Sequence, residues 1–446
     1  MQTESIEHLT IEKIVNKGYG IGYWQNHTVF VSHAIPGDEV SVRVIGKKGN
    51  SLFAEIQSYH RQSPITIEPS CDAFGSCGGC DWLNVPYEVQ LEWKQNIVAE
   101  IYNRIYPSEQ IRQIIGANPD RNYRNKVFMP IGEKGDEPII GMYARKSHEV
   151  IPHEHCSLHP AFFDDIFSLL HSHIIAANIP IYNEKKNSGI LKHVGIRYSA
   201  STGEVIVVLV TRGRKLPFAE VLVKNLLKVN PNIVGVVQNI KPDAGNRILG
   251  DEEKILYGVP YIRDRIKDTQ FQLNYQSFMQ IHPNQAENLV TYLDEIIPPG
   301  KNVVDAFSGI GFLGLSLASK CNWVYLIESN EYAVEDTKQN ARLNEMNNIT
   351  CISGKVEDEL PQLVTSHSLD TMIFDPPRKG LEPAVIPVIA SVGIPRIIYV
   401  SCNPSTQYRD IVSFMEHGYV IKEIQPFDLF PQTWHVENVV TLERQG

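Results

Sequence analysis

Three short motifs in the second half of the chain carry side chains suited to covalent or acid–base chemistry. Cys402 lies in the motif SCNP, Asp375 begins the motif DPPR, and Glu437 follows His435 in FPQTWHVE. A thiolate is a strong nucleophile and a carboxylate can move protons. A buried structural thiol is the alternative for Cys402, but a predicted strand end before Asn-Pro favours a nucleophile. Taken alone, Glu437 is better explained as a solvated acid on an edge strand.

A glycine loop precedes these motifs and points to nucleotide chemistry. The segment DAFSGIGFLG contains Gly309 and Gly311 in a G-x-G-x-x-G pattern, and Glu328 follows 19 residues after Gly309. Such glycines let a cofactor approach a helix N-terminus, and the acid can accept hydrogen bonds from ribose hydroxyls. The residues fit a nicotinamide dinucleotide or S-adenosylmethionine and do not choose between them.

Four of the seven cysteines form a candidate metal site. They are Cys71, Cys77, Cys80 and Cys156. Four thiolates can hold an iron–sulfur cluster or tetrahedral zinc, and the spacing does not decide between the two. The neighbouring His153, His155 and His159 keep zinc open. The odd cysteine count and the absence of an export signal argue against disulfides.

The elements that must position these groups indicate an α/β protein of three domains. Residues 1–60 alternate short strands with glycine turns, which predicts a small OB-like β-barrel. Residues 61–262 form a β-rich central domain with the cysteines, and a helix predicted over 86–116 can pack back on the C-terminal domain. Residues 263–446 alternate strands and helices, and end in an antiparallel strand pair. This pattern predicts a doubly wound sheet with ligands at the carboxyl ends of its strands.

Composition narrows the class of protein. The 446 residues carry a net charge of 41 minus 51, or −10, and are 43% hydrophobic. No run approaches the ~18 apolar residues of a membrane span, and the polar N-terminus resembles no signal or transit peptide. We therefore expect a cytoplasmic protein without a membrane or an obligate protein partner. The charge disfavours a protein that coats nucleic acid but permits a local basic groove.

One basic segment could provide that groove. Six Lys or Arg and three Asp or Glu lie between residues 121 and 146, which gives a local charge of +3, with aromatic residues between them. Such a strip can neutralise phosphates and stack bases. A solvated β-hairpin explains these residues about equally well.

The four motifs DAFSGIGFLG, FDPPRKG, SCNPST and FPQTWHVE, in this order, resemble those of the RNA uracil-5-methyltransferases. Their bacterial 23S ribosomal RNA branch is the most similar, and GYGIGYW with PGDEV resembles its TRAM domain. The resemblance implies a Rossmann-like class I methyltransferase domain that uses S-adenosylmethionine. It implies that Cys402 adds to C6 of a flipped uracil and that Glu437 removes the C5 proton.

The same resemblance assigns the remaining sites. It implies that the cofactor is bound by Gln272, Phe307, Gly309, Gly311, Glu328 and Asp375. It favours a [4Fe–4S] cluster over zinc at the four cysteines, and RNA contacts at Arg124 and Lys126. Ribosomal RNA is the expected partner, and transfer RNA is the alternative within the same chemistry. A nicotinamide-dependent oxidoreductase is the alternative from another class.

Overall fold

The computed structural model describes residues 5–135 and 137–445. Its strands are β1 Ser5–Thr10, β2 Lys13–Val15, β3 Tyr19–Trp24, β4 His27–Val31, β5 Glu39–Lys48, β6 Ser51–Arg61, β7 Lys126–Lys134, β8 Glu137–Tyr143, β9 Val150–Pro152, β10 Leu191–Tyr198, β11 Val205–Thr211, β12 Ile233–Ile240, β13 Glu252–Gly258, β14 Tyr261–Ile266, β15 Thr269–Asn274, β16 Asn302–Ala306, β17 Trp323–Glu328, β18 Ile349–Ser353, β19 Thr371–Phe374, β20 Arg396–Ser401, β21 Tyr419–Phe427 and β22 Glu437–Arg444. Its α-helices are α1 Tyr87–Tyr102, α2 Phe162–Ala176, α3 Ala219–Val229, α4 Pro283–Ile296, α5 Phe312–Leu317, α6 Glu331–Leu343, α7 Val356–Ser366, α8 Val385–Ser391 and α9 Pro404–Glu416.

The first six strands form a curled sheet in the order β1-β5-β6-β4-β3-β2. The curl brings β1 against β3 so closely that a Cβ on Gly22 would lie 2.3 Å from the Thr10 oxygen. Glycine is therefore required where the two ends of the sheet meet. Alternate side chains point inward and form one apolar core, as expected for a small barrel.

The central sheet has seven strands in the order β13-β12-β11-β10-β7-β8-β9. The apolar runs of β10 and β11 pair antiparallel, as the sequence predicts. Helices α2 and α3 contribute to the apolar core on one side of this sheet. A separate hairpin of β14 and β15 follows it.

The third sheet carries the C-terminal motifs and has the order β18-β17-β16-β19-β20-β22-β21. The first five strands in that order are parallel, and β22 lies antiparallel between β20 and β21. Long apolar residues fill both faces, as expected of parallel strands covered by helices. The predicted doubly wound sheet with a terminal antiparallel pair is therefore confirmed.

Helix α1 is shorter than the sequence predicts. The predicted helix over 86–116 ends at Tyr102, where the Ile105 amide donates to the Tyr102 oxygen in a turn, and Pro107 follows. The apolar spacing misleads because Ile105 and Tyr106 pack beside the same core as the helix does. The helix itself lies against the third sheet, where the Tyr102 hydroxyl donates to Gln407 Oε1 on α9 at 2.9 Å.

Within the described residues, no helix has both the length and the apolar character needed to cross a membrane.

Candidate active site

The register of two neighbouring strands brings Cys402 beside Glu437. Strand β20 ends at Ser401, which pairs with Asn438 of β22 in an antiparallel ladder. Cys402 and Glu437 are the next residues of the two strands, and they lie close enough for the Glu437 carboxylate to raise the pKa of the Cys402 thiol. Two residues that lie 35 positions apart in the sequence thus form one site.

The charges around this site oppose ionisation of its acids. Burial, followed by the Glu437 and Asp375 carboxylates, raises the pKa of the Cys402 thiol to about 12, and the Arg378 guanidinium opposes the shift. Burial and Asp375 together raise the pKa of Glu437 well above its ordinary value, and Arg378 again opposes the shift. Glu437 is 1% exposed, and its Oε1 has no hydrogen-bond partner among the described residues. Such a carboxylate is poised to bind a proton.

A cleft of about 390 Å³ opens at the carboxyl ends of β16, β17 and β19. Phe307, Glu328 and Asp375 line it, so three of the six predicted cofactor residues lie at one opening. Burial raises the pKa of Asp375 to about 7. The buried Gln280 approaches Asp375 Oδ2 with its side-chain amide at 3.5 Å. The cleft is concave and partly apolar, as nucleotide sites usually are.

The glycine loop is built around two carboxylates. The Gly309 amide donates to Glu328 Oε2 at 3.0 Å, and the Gly314 amide donates to Asp305 Oδ2 at 2.7 Å. Gly311 has φ +80°, and a Cβ there would lie 2.8 Å from Thr337 Cγ2. Both its conformation and its surroundings therefore exclude larger residues. Neither Gly309 nor Gly311 is among the residues that line the cleft.

Helix α6 connects Gln272 to the glycine loop. The Gln272 amide donates to Asn340 Oδ1 at 2.8 Å, and Thr337 Oγ1 on the same helix donates to the Gly309 oxygen at 3.0 Å. Gln272 is not among the residues that line the cleft. The structure therefore places it one helix away from the loop, on β15.

The four predicted metal ligands converge. A cavity of about 30 Å³ is lined by Cys71, Cys77, Cys80 and Cys156 together with apolar side chains and Arg124. Burial raises the pKa of the Cys77, Cys80 and Cys156 thiols, and the Arg124 guanidinium opposes each shift. Four free thiols at one mostly apolar cavity fit either an iron–sulfur cluster or zinc.

Two histidines at the same cavity keep the zinc interpretation open. Ligand atoms of His153, Cys156 and His159 all lie within 4.8 Å of one another. His153 Nδ1 and His159 Nε2 are buried without a hydrogen-bond partner among the described residues. The third candidate, His155, instead bonds Asp164 at 2.8 Å.

Comparison with known proteins decides the family. The family described as tRNA (Uracil-5-)-methyltransferase matches residues 87–445. The chain belongs to this family. The TRAM domain matches residues 5–56, which covers most of the curled N-terminal sheet. These matches confirm the family resemblance and the α/β fold class that the motifs predicted. They favour a methyltransferase over a nicotinamide-dependent oxidoreductase.

Relatives of this RNA uracil-5-methyltransferase cover nearly its full length. An uncharacterised RNA methyltransferase of Halalkalibacterium halodurans is 34% identical over 98% of this chain and 97% of its own. A second, from Clostridium acetobutylicum, is 36% identical over 97% and 96%. Among solved structures, the tRNA (uracil-54, C5)-methyltransferase of Pyrococcus abyssi, in complex with S-adenosyl-L-homocysteine, superposes with a TM-score of 0.79. It is 26% identical and covers 98% of this chain and 100% of its own.

The two residues predicted to contact RNA, Arg124 and Lys126, face other parts of this methyltransferase. Arg124 lines the cysteine cavity. Lys126 Nζ donates to the Ser277 oxygen at 3.1 Å, and burial with the neighbouring Arg197 lowers its pKa to about 7. Contact of Arg124 and Lys126 with RNA therefore stays a prediction from the resemblance alone.

Two residues of the methyltransferase site were not singled out from the sequence. Arg378 directly follows the double proline, and its charge lowers the pKa values of both Cys402 and Glu437. Burial raises the pKa of Asp305, at the end of β16, to about 7. The sequence did offer one signal for Arg378, which lies three residues after Asp375, the acid at the end of β19. Nothing in the spacing marks Asp305 as a partner of Gly314.

Proposed function

We propose that this methyltransferase transfers a methyl group from S-adenosylmethionine to C5 of a uridine in 23S ribosomal RNA. The observation that carries the proposal is the pairing of β20 with β22, which brings Cys402 near Glu437 and near Asp375, a residue that lines the cleft. The family match and the Pyrococcus abyssi structure support the reaction class and the cofactor. The domain limits 1–60, 61–262 and 263–446 are part of the proposal.

The two residues take separate steps. Uracil C5 is a weak nucleophile, so the Cys402 thiolate first adds to C6 and pushes electron density onto C5. S-adenosylmethionine, when bound, would supply the methyl group, whose bond to the sulfonium sulfur breaks as C5 bonds to it, leaving S-adenosylhomocysteine. The Glu437 carboxylate then takes the C5 proton, the C5–C6 double bond re-forms, and the C6–sulfur bond breaks to release the Cys402 thiolate.

The surrounding residues prepare these steps. Phe307, Glu328 and Asp375 line the cleft that would hold the cofactor, and Glu328 presents its carboxylate where ribose hydroxyls bind in related folds. Gln272, Gly309 and Gly311 complete the proposed cofactor site through α6 and the glycine loop. The Arg378 guanidinium favours the thiolate of Cys402. The target base must leave its stack to reach a half-buried sulfur.

The four-cysteine cavity is proposed to hold a [4Fe–4S] cluster that fixes the central domain and shapes the RNA surface. Its four thiols and mostly apolar lining support a soft metal site. An iron–sulfur cluster gives the anaerobically purified protein a visible absorption band, which zinc with its filled d shell does not. A colourless protein with one zinc per chain would replace the cluster by a zinc ion at the same cavity.

The proposal is tested with two variants and two RNA pools. We expect Cys402→Ala to abolish 5-methyluridine formation while RNA binding is retained. We expect Glu437→Gln to accumulate a covalent protein–RNA adduct, seen as a slowly migrating band on a denaturing gel, because release is blocked after methylation. Near-normal turnover by Cys402→Ala would remove that residue from the mechanism.

Transfer RNA is the second candidate substrate, because the family and the Pyrococcus abyssi protein are named for it. Ribosomal and transfer RNA lacking 5-methyluridine are offered separately with labelled S-adenosylmethionine. Label in 5-methyluridine from the ribosomal pool supports the proposal, and label only from the transfer RNA pool overturns the substrate assignment while leaving the reaction intact.

A further inference from the structure

The segment that leads into Glu437 is held by residues from outside its own domain. Residues 428–436, which we name the base loop, connect β21 to β22 without regular structure. The Gln432 oxygen accepts hydrogen bonds from the amides of Asp81 and Trp82 at 2.9 and 3.2 Å. The Trp434 amide donates to Asp81 Oδ2 at 3.2 Å. Asp81 and Trp82, which follow Cys80, thus form hydrogen bonds to the base loop at Gln432 and Trp434.

Asp81 is itself fixed from the other side. Its Oδ1 forms an ion pair with Arg145, and its side chain is only 11% exposed. Arg145 follows Ala144, which forms a β-bridge with Cys77. The carboxylate is therefore held between the base loop and the segment after β8, which pairs with Cys77.

Glu437 needs such support because its own side chain offers little. Its Oε1 has no hydrogen-bond partner among the described residues, so the carboxylate is aimed chiefly by the backbone that carries it. Strand pairing fixes that backbone on the C-terminal side of Glu437. On the N-terminal side, the base loop must do so, and an error of about 1 Å there can cost on the order of 100-fold in rate.

We propose that Asp81 is a positioning residue for the proton-removal step, through which the cysteine site holds the base loop in place. Asp81 touches neither base nor cofactor and acts through Trp434 and the loop that ends at Glu437. The inference rests on the proposed function, since it assigns Asp81 to one step of that reaction. It assigns no part in thiolate addition or methyl transfer.

The distinguishing readout is the step that slows. The variant Asp81→Ala removes the acceptor for the Trp434 amide. With ordinary RNA, we expect release to become about 10- to 100-fold slower, so that a covalent adduct accumulates as in Glu437→Gln. With RNA that contains 5-fluorouridine, the fluorine cannot leave as a proton does, and every competent protein stays trapped. Trapping by Asp81→Ala is expected at the wild-type rate, because addition and methyl transfer precede the affected step.

Asp72 provides a matched control. It directly follows Cys71, as Asp81 follows Cys80, but it is exposed, and none of its side-chain hydrogen bonds reaches the base loop in the described structure. We expect Asp72→Ala to leave turnover and adduct levels unchanged. Asp81→Asn keeps a carbonyl oxygen that can accept from the Trp434 amide but loses the charge that pairs with Arg145, so we expect a release rate between those of the wild type and Asp81→Ala.

Each outcome bears on the inference. Equal slowing of trapping and turnover in Asp81→Ala, or turnover at the wild-type rate, overturns it. If Asp81→Ala loses RNA binding or its metal, Arg145→Met decides, because it frees Asp81 without removing the acceptor. Adduct accumulation by Arg145→Met supports the inference, and its absence overturns it. Failure of the wild-type protein itself to trap on 5-fluorouridine RNA overturns the proposed function instead.

Discussion

Cys402 lies among two carboxylates and one guanidinium, and these charges determine when its sulfur can act. Burial and the two acids raise the pKa of the thiol to about 12, so the free protein holds it protonated at neutral pH. The positive charge of Arg378 acts in the opposite direction and lowers this pKa. The Arg378 backbone oxygen also accepts a hydrogen bond from the Asn403 side-chain amide at 3.0 Å, which ties Arg378 to the residue that follows Cys402.

The rate of adduct formation should therefore rise with pH. Below the pKa of Cys402 the thiolate fraction grows about tenfold per pH unit, and the trapping rate on 5-fluorouridine RNA is expected to follow it between about pH 6 and 9. Removal of the guanidinium in Arg378→Gln raises the thiol pKa, so trapping should be slower at each pH. Arg342→Gln, which removes the same charge from an exposed site on α6, is the control. A flat pH profile would contradict this account.

Asp305 gives stability the opposite pH dependence from an ordinary paired acid. Burial raises its folded pKa to about 7 from an ordinary value of 3.8. The folded protein therefore holds a proton that the unfolded chain has released, and its stability falls as pH rises from about 4 to 7. We expect Asp305→Asn, whose oxygen can still accept from the Gly314 amide, to raise the melting temperature at pH 8 but not at pH 4. Equal shifts at both pH values would contradict the prediction.

At the scale of single elements, α1 belongs physically to the C-terminal sheet. Its Lys94 forms a fully buried ion pair with Asp428 at the start of the base loop, with 2.5 Å between Nζ and Oδ1. Asp428 also accepts from the Tyr87 hydroxyl at 2.9 Å. Gln90, one turn before Lys94, exchanges hydrogen bonds with Gln432. The helix is therefore a second support for the base loop, and Gln90 also links it to the segment after Cys80 by donating to the Trp82 oxygen at 3.0 Å.

The buried pair should be costly to break. Lys94→Met leaves the Asp428 carboxylate without its cation in the interior, and we expect a loss of about 3–5 kcal/mol in the free energy of unfolding. The control lies on the same helix, where Glu100 pairs with Lys13 in the open. Glu100→Gln should cost no more than about 1 kcal/mol. Chemical denaturation measures both, and similar losses would contradict the argument.

Sequence patterns predicted the C-terminal sheet well because strand ends there are marked by Pro and Gly. DPPR and SCNP both begin at the end of a parallel strand, so Asp375 and Cys402 had to meet at one edge. The end of α1 was misjudged because apolar residues continue to face the core after the helix stops. The contacts of Asp81 with Trp434 could not be foreseen, since they join residues 353 positions apart in loops without periodicity.

At the scale of the whole molecule, the N-terminal barrel rests on the catalytic region. A Cβ on Gly18 would lie 3.0 Å from Trp434 Cβ, and Asn16 Nδ2 donates to Ser405 Oγ at 2.7 Å. Ser405 lies in the first turn of α9, three residues after Cys402. The barrel thus touches the base loop and the helix that follows Cys402.

This contact predicts a difference between two glycines of the barrel. Gly18 has φ +71° and Gly49 has φ +58°, so alanine at either position costs about 1–2 kcal/mol of backbone strain. A Cβ at Gly49 meets nothing within 4 Å, whereas one at Gly18 presses on Trp434. We expect both variants to lower the melting temperature, but only Gly18→Ala to slow 5-methyluridine formation. If the two variants formed 5-methyluridine at the same rate, the contact between Gly18 and Trp434 would have no part in catalysis.

The placement of β22 sets an order of events during synthesis. This strand enters between β20 and β21, both of which precede it in the chain, and it begins with Glu437. Because proteins emerge from the ribosome N-terminus first, the sulfur of Cys402 is made before its acid partner can arrive. Until β22 inserts, the edge of β20 beside Cys402 stays unpaired. The thiol proposed to attack the base and the carboxylate proposed to free it therefore come together only when the sheet is complete.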